Sequence, residues 1–155
     1  MVPLMIGIVL AAHGPLADAF LESTRMILGE QPQVASIALM PGDSLEGLVE
    51  RLHSAVNEVN TGDGALILLD MFGGTPANAA ALLTRQMNDL YAISGINLPM
   101  LLETFLARMG EDQLASLAET AFLAGRTGMV DIVEAFKQFR EVQEGGSSQG
   151  SKMSS

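Results

Sequence analysis

The chain has 155 residues, 48% of them hydrophobic, which suits one compact domain with a full core rather than two domains or a disordered tether. Eight basic residues against eighteen acidic ones give a formal net charge of −10, a field that repels a phosphate backbone and sets nucleic acid aside as a partner. With no cysteine there is no disulfide framework, thiolate nucleophile or cysteine metal site, and two histidines are too few for a multi-histidine centre, so neither metal nor cofactor is expected.

Residues 1–12 are apolar, but the run is shorter than the roughly 20 residues a membrane helix needs. The first cation is Arg25, and the run leads into His13-Gly14 rather than a small-residue cleavage site. It therefore reads as a buried strand and not as a secretory signal, and a cytoplasmic protein is expected. Within it, residues 4–10 (LMIGIVL) are apolar on both faces, as a central strand of a parallel sheet requires. Gly14-Pro15 can open a helix, with Pro15 where its missing N–H costs nothing, and Gly29 can close it.

Residues 34–40 form the second strand. Asp43 with Glu46 three residues on resembles a capping box, ahead of a stripe of Leu45, Leu48, Val49, Leu52, Val56 and Val59 at helical spacing. His53 lies at the edge of that stripe, on the surface. Residues 65–69 (ALILL) form the third strand, and a helix follows from Thr75-Pro76 to about Met87, with the Thr75 hydroxyl as N-cap. Residues 90–96 form the fourth strand. Asn97-Leu98-Pro99 fixes the turn into a helix over 100–108, and another helix covers 112–126.

After Gly128 the spacing of Met129, Ile132, Val133, Phe136 and Phe139 fits a helix, while MVDIV also fits a strand. Residues 1–144 are read as one domain and 145–155, rich in glycine and serine, as a mobile tail. The alternation of strand and helix defines an α/β protein, a three-layer open, mainly parallel sheet flanked by helices.

In such sheets ligands bind outside the carboxyl ends of the strands. The first strand ends at His13, and the third ends in Asp70-Met71-Phe72-Gly73-Gly74-Thr75-Pro76. If those two strands are neighbours, the Asp70 carboxylate can fix the tautomer of His13 and leave the other ring nitrogen free as a nucleophile. Helix-start amides together with the glycine-loop amides make a concave set of donors suited to a phosphoryl group. From spacing alone, a catalytic His13 and a histidine whose ring is merely satisfied at a strand end read equally well. Asp70 alone reads as a loop carboxylate, and GGTP alone as a tight turn with a cap. A P-loop is absent, since the lysines are Lys137 and Lys152 and no GxxxxGK[ST] occurs, and HGPLADAF is not a dinucleotide fingerprint.

Four motifs in order, LAAHG at 10–14, PGD at 41–43, LLDMFGGTPAN at 68–78 and GINLPMLLE at 95–103, resemble the enzyme IIA component of the mannose-type bacterial sugar phosphotransferase system. The resemblance covers about residues 4–130. It implies a phosphotransferase in which His13 accepts a phosphoryl group from the phosphocarrier HPr and passes it to enzyme IIB, serving a membrane sugar permease. Asp70 matches the residue that hydrogen-bonds the imidazole, Thr75 matches a hydroxyl facing the phosphoryl group, and Gly73 and Gly74 would offer backbone donors. It further implies a homodimer with a carboxy-terminal strand exchanged between subunits, which here points to the segment after Gly128. No IIB domain follows residue 145, so IIB is expected on a separate polypeptide, and the transported sugar is chosen by components outside this chain. Two other readings are an anion-binding regulatory module without catalysis and the phosphotransfer subunit of a dihydroxyacetone kinase. GGTPAN and NLPML fit the sugar-transport branch better than the latter.

Overall fold

A computed structural model describes residues 4–148. The elements run β1 (Gly7–His13), α1 (Leu16–Leu28), β2 (Val34–Leu39), α2 (Leu45–Val59), β3 (Ala65–Leu69), α3 (Gly74–Gln86), β4 (Leu90–Ser94), α4 (Leu98–Ala107), α5 (Leu114–Thr127) and α6 (Ile132–Ser148). The strands pair in parallel in the order β2-β1-β3-β4. β1 and β3 are thus neighbours in the middle of the sheet, and Ala11 stands opposite Leu69.

The two-residue period of the strands divides the core into two layers. Val9 and Ala11 of β1, with Ala65, Ile67 and Leu69 of β3, face α2 and α3. Ile8, Leu10 and Ala12, with Leu66 and Leu68, face the opposite layer of α1, α4 and α5. Both faces of the central strands are covered, which explains why they are apolar without alternation. The first strand lies three residues later than residues 4–10. Leu4 is 68% exposed, whereas Ala11 and Ala12 are fully buried between the two helical layers. Gly7, the first residue of β1, is required by contact: a Cβ there would sit 2.6 Å from the Val59 carbonyl oxygen at the end of α2.

Two helix starts differ from the sequence reading. α2 is capped by the Ser44 hydroxyl, which accepts the Gly47 N–H at 3.0 Å, and not by Asp43. Asp43 is occupied in the preceding turn, where its carboxylate accepts the Met40 N–H at 2.8 Å. α3 has Gly73 at its N-cap, without a side-chain cap, and Thr75 is already helical. Consecutive positive φ angles at Gly73 and Gly74, 121° and 67°, turn the chain sharply enough to start the helix early. At α4, Asn97 is the cap, accepting the Met100 N–H at 2.9 Å and donating to the Gly125 carbonyl at 2.8 Å, so one amide also ties α4 to α5.

At the sheet edge opposite the strand tips, Arg108 is 2% exposed. Its guanidinium donates to the carbonyls of Ile6, Pro32 and Gln33 and lies 4.9 Å from the Phe105 ring centroid. Burial pulls its pKa down to about 10. It closes the entrance to β1 and β2.

The segment after Gly128, open between strand and helix by sequence, is helical, and it supplies no strand to the sheet of the described residues. Residues 129–146 are exposed throughout. α6 carries 145–148 of the glycine-serine segment, and 149–155 lie outside the described residues. Among the described residues no helix is long and apolar enough to cross a membrane.

Candidate active site

His13 is the last residue of β1, and Asp70 follows directly on β3. Because these strands are adjacent and in register, their ends bring the two side chains together. Asp70 Oδ2 lies 2.8 Å from His13 Nδ1 and also accepts the His13 backbone N–H at 2.9 Å. Asp70 Oδ1 accepts the Met71 N–H at 2.9 Å, and the Asp70 N–H donates to the Ala11 carbonyl at 3.3 Å. The carboxylate is therefore held from three sides and aimed at one ring nitrogen.

Partial burial pushes the Asp70 carboxyl up, but the backbone amide and imidazole of His13, with the Met71 amide, outweigh it and hold the group below the usual carboxylate range. An ionised carboxylate only accepts, so Nδ1 carries a proton and, in the neutral imidazole, Nε2 is the nitrogen with the lone pair. The His13 side chain is 57% exposed while that of Asp70 is 11% exposed, so the imidazole is open and its carboxylate partner is sheltered.

A cleft of about 210 Å³ opens beside the ring. It is lined by His13, by Met40, Pro41, Gly42 and Asp43 of the β2–α2 loop, and by Thr75 and Pro76 at the start of α3. At about 30 Å³ per water molecule, a cleft of that size admits a phosphoryl group with room to spare. The first-turn amides of α3 have no acceptor within their own helix, and the positive end of the helix dipole lies there too, so an anion is favoured. Thr75 reaches the cleft from inside the helix, whereas Gly73 and Gly74 form the exposed turn that leads into it. His53 is exposed on α2, with Asn57 Nδ2 3.4 Å from its Nε2. Among the described residues no group of three His, Asp or Glu side chains is placed to hold a metal ion.

The β2–α2 wall holds the PGD motif at 41–43, which the sequence reading used for the resemblance and for a cap at Asp43 but did not place in the site. Met40-Pro41-Gly42-Asp43 is a tight turn with φ +86° at Gly42, closed by the Asp43 N–H donating to the Met40 carbonyl at 3.2 Å. Pro-Gly after a strand was the available signal for the turn. Its position against His13 depends on β2 lying beside β1, where the Gly14 N–H donates to the Leu39 carbonyl at 3.0 Å. A larger trough of about 420 Å³ runs along β4, lined by Phe72, Leu90, Tyr91 and Ile93 among others, and shares no lining residue with the cleft at His13.

The model of the EIIA-man family, described as the fructose IIA component of the PTS system, matches residues 7–122. The chain is 36% identical over 124 residues to the mannose-specific EIIAB component of Escherichia coli K12, a match covering 80% of this chain and 38% of the relative. It thus spans little more than a third of that protein's length. Against the fructose-specific EIIA component of Bacillus subtilis it is 35% identical over 104 residues, covering 67% of this chain and 71% of the relative. The crystal structure of the phosphotransferase system component EIIA from Streptococcus agalactiae superimposes with a TM-score of 0.76 at 31% identity, covering 84% of this chain and 99% of that one. Motif, family match and parallel sheet agree, and the chain belongs to the mannose-type enzyme IIA family of the sugar phosphotransferase system.

Proposed function

We propose that this chain is a phosphohistidine relay in sugar uptake, in which His13 takes a phosphoryl group from the phosphohistidine of HPr and hands it to enzyme IIB. The observation that carries the proposal is the 2.8 Å contact between Asp70 Oδ2 and His13 Nδ1 at the rim of a cleft that fits the transferred group. As the P–N bond to the carrier's histidine breaks, a P–N bond forms to Nε2 of His13. The Nδ1 proton stays in its hydrogen bond to Asp70, which stabilises the positive charge the ring gains. The phosphoryl oxygens meet the Thr75 hydroxyl and the amides of the Gly73-Gly74 turn and first turn of α3, and fixed donors of this kind stabilise a loose, charge-spread transition state.

The wider setting follows the family. HPr and enzyme IIB are the direct partners, the membrane permease is served indirectly, and the protein works in the cytoplasm. The functional domain is 1–144, with 145–155 an appended tail. A homodimer is part of the proposal, supported by the exposed apolar face of α6, where Ile132, Val133, Phe136 and Phe139 are each more than 60% exposed.

Incubation with phosphoenolpyruvate, enzyme I and HPr is expected to place one acid-labile, base-stable phosphoryl group on the protein. His13→Ala is expected to abolish it. A label that persists in His13→Ala overturns the assignment, and binding of phosphate analogues without any covalent adduct would mark an anion-binding module instead.

A further inference from the structure

The cleft beside His13 has one acidic residue in its lining, Asp43. Asp70 is engaged by the imidazole and stands outside that lining, whereas Asp43, in the β2–α2 wall, lines the space that the phosphoryl group is to enter. A phosphoryl group carries about −1.5 to −2 charges near neutral pH, so a bare carboxylate in that wall opposes it. Asp43 is not bare. Its Oδ2 lies 3.2 Å from Arg51 Nη1, and Nη2 of the same guanidinium donates to the Ala38 carbonyl at 2.7 Å. Arg51 is thus fastened at two points behind the wall, with its charge against the carboxylate.

The ion pair itself adds little to the stability of the fold. The two side chains are 43% and 27% exposed, where ion pairs contribute little to stability. The turn is closed without Arg51, by its backbone bond and by the bond from the Met40 N–H to Asp43, and α2 has its own cap in Ser44. What the pair changes is the charge of the cleft wall.

We propose that Arg51 is a positioning residue for phosphoryl transfer: by neutralising Asp43 it makes the β2–α2 wall of the cleft tolerant of a dianion on His13. The inference rests on the phosphohistidine-relay reading. Its signature lies in the equilibrium of the exchange with the carrier, because the field at the phosphoryl group changes the relative stability of the two phosphohistidines.

The full chain is equilibrated with phosphorylated HPr and the distribution of the phosphoryl group is read by intact mass. Arg51→Met is expected to shift the equilibrium about threefold to fivefold toward HPr, the range of an exposed charge coupling. Arg51→Lys stays within about twofold of wild type because it keeps the charge. Asp43→Asn combined with Arg51→Met recovers most of the loss, since the amide oxygen can still accept the Met40 N–H. Asp43→Asn alone shifts the equilibrium toward the phosphorylated protein, and this variant keeps the test decisive should Arg51→Met fold poorly. A wild-type equilibrium in Arg51→Met, a deficit that Asp43→Asn does not relieve, or no gain in Asp43→Asn alone overturns the inference. A wild-type protein that takes no label on His13 overturns the relay reading instead.

Discussion

Asp70 concentrates the chemistry of the site because one side chain satisfies two amides and one imidazole. Asp70→Asn keeps the size but adds two donors and removes the charge, so the His13 tautomer is no longer enforced. Transfer from phosphorylated HPr is expected to slow by at least about tenfold in rapid-quench measurements. Hydrogen bonds to charged groups contribute about 1.5–3 kcal/mol net each, and the asparagine amide oxygen can still accept, so a loss of about 1–3 kcal/mol in urea unfolding is also expected. The pH dependence has a definite sign. Because the native carboxyl is held below its ordinary value, the unfolded chain takes up this proton first as pH falls. The stabilisation is complete above the unfolded value of about 4 and is lost as pH falls through the native one. Asp70→Asn is expected to lack that acid limb, and identical acid unfolding curves for the two proteins would contradict it.

At the scale of the element, the starts of α2 and α3 show how local motifs compete. Asp43-Ser44 offers two adjacent N-cap residues, and local pattern cannot choose between them. The choice falls to Ser44 because Asp43 closes the turn at Met40 and meets Arg51 from the following helix. Ser44→Ala is therefore expected to cost about 1 kcal/mol, measured by chemical denaturation. Glu46→Ala should change stability by less than about 0.5 kcal/mol, since no capping box with Asp43 forms. Gly7→Ala tests the packing of α2 on β1: a methyl group would strike the Val59 carbonyl, and a loss of about 1–3 kcal/mol is expected.

For the molecule as a whole, the described core closes without α6. Two buried clusters, one on each face of the sheet, draw on strands and on α1 to α5, while 129–146 remain exposed. Deleting residues 129–155 is expected to leave the thermal unfolding midpoint of the remaining domain within about 3 °C of the full chain. For the proposed homodimer, the same deletion is expected to leave a monomer in sedimentation equilibrium. A truncated chain that remains dimeric would place the dimer contact elsewhere, with the apolar trough along β4 as the next surface to test.

The sequence determined what depends on local pattern. Uninterrupted apolar runs gave four strands, helical spacing gave the covering layers, and His13 and the Asp70 loop fell at strand tips because strand-to-helix transitions are marked by glycine and proline. The family motifs added the chemistry. Tertiary structure decided what depends on neighbours: that β1 and β3 are adjacent, which converts two residues 57 positions apart into a 2.8 Å pair, and that β2 lies on the other side of β1, which brings the Pro41-Gly42 turn to the same cleft, with Arg51 paired to Asp43 of that turn. The segment after Gly128 is a different case: it is helical while 129–146 stay exposed, so packing against the described core did not choose between its two periods. Strand order is set by long-range burial and crossover connections, which leave no signature in any single stretch of chain.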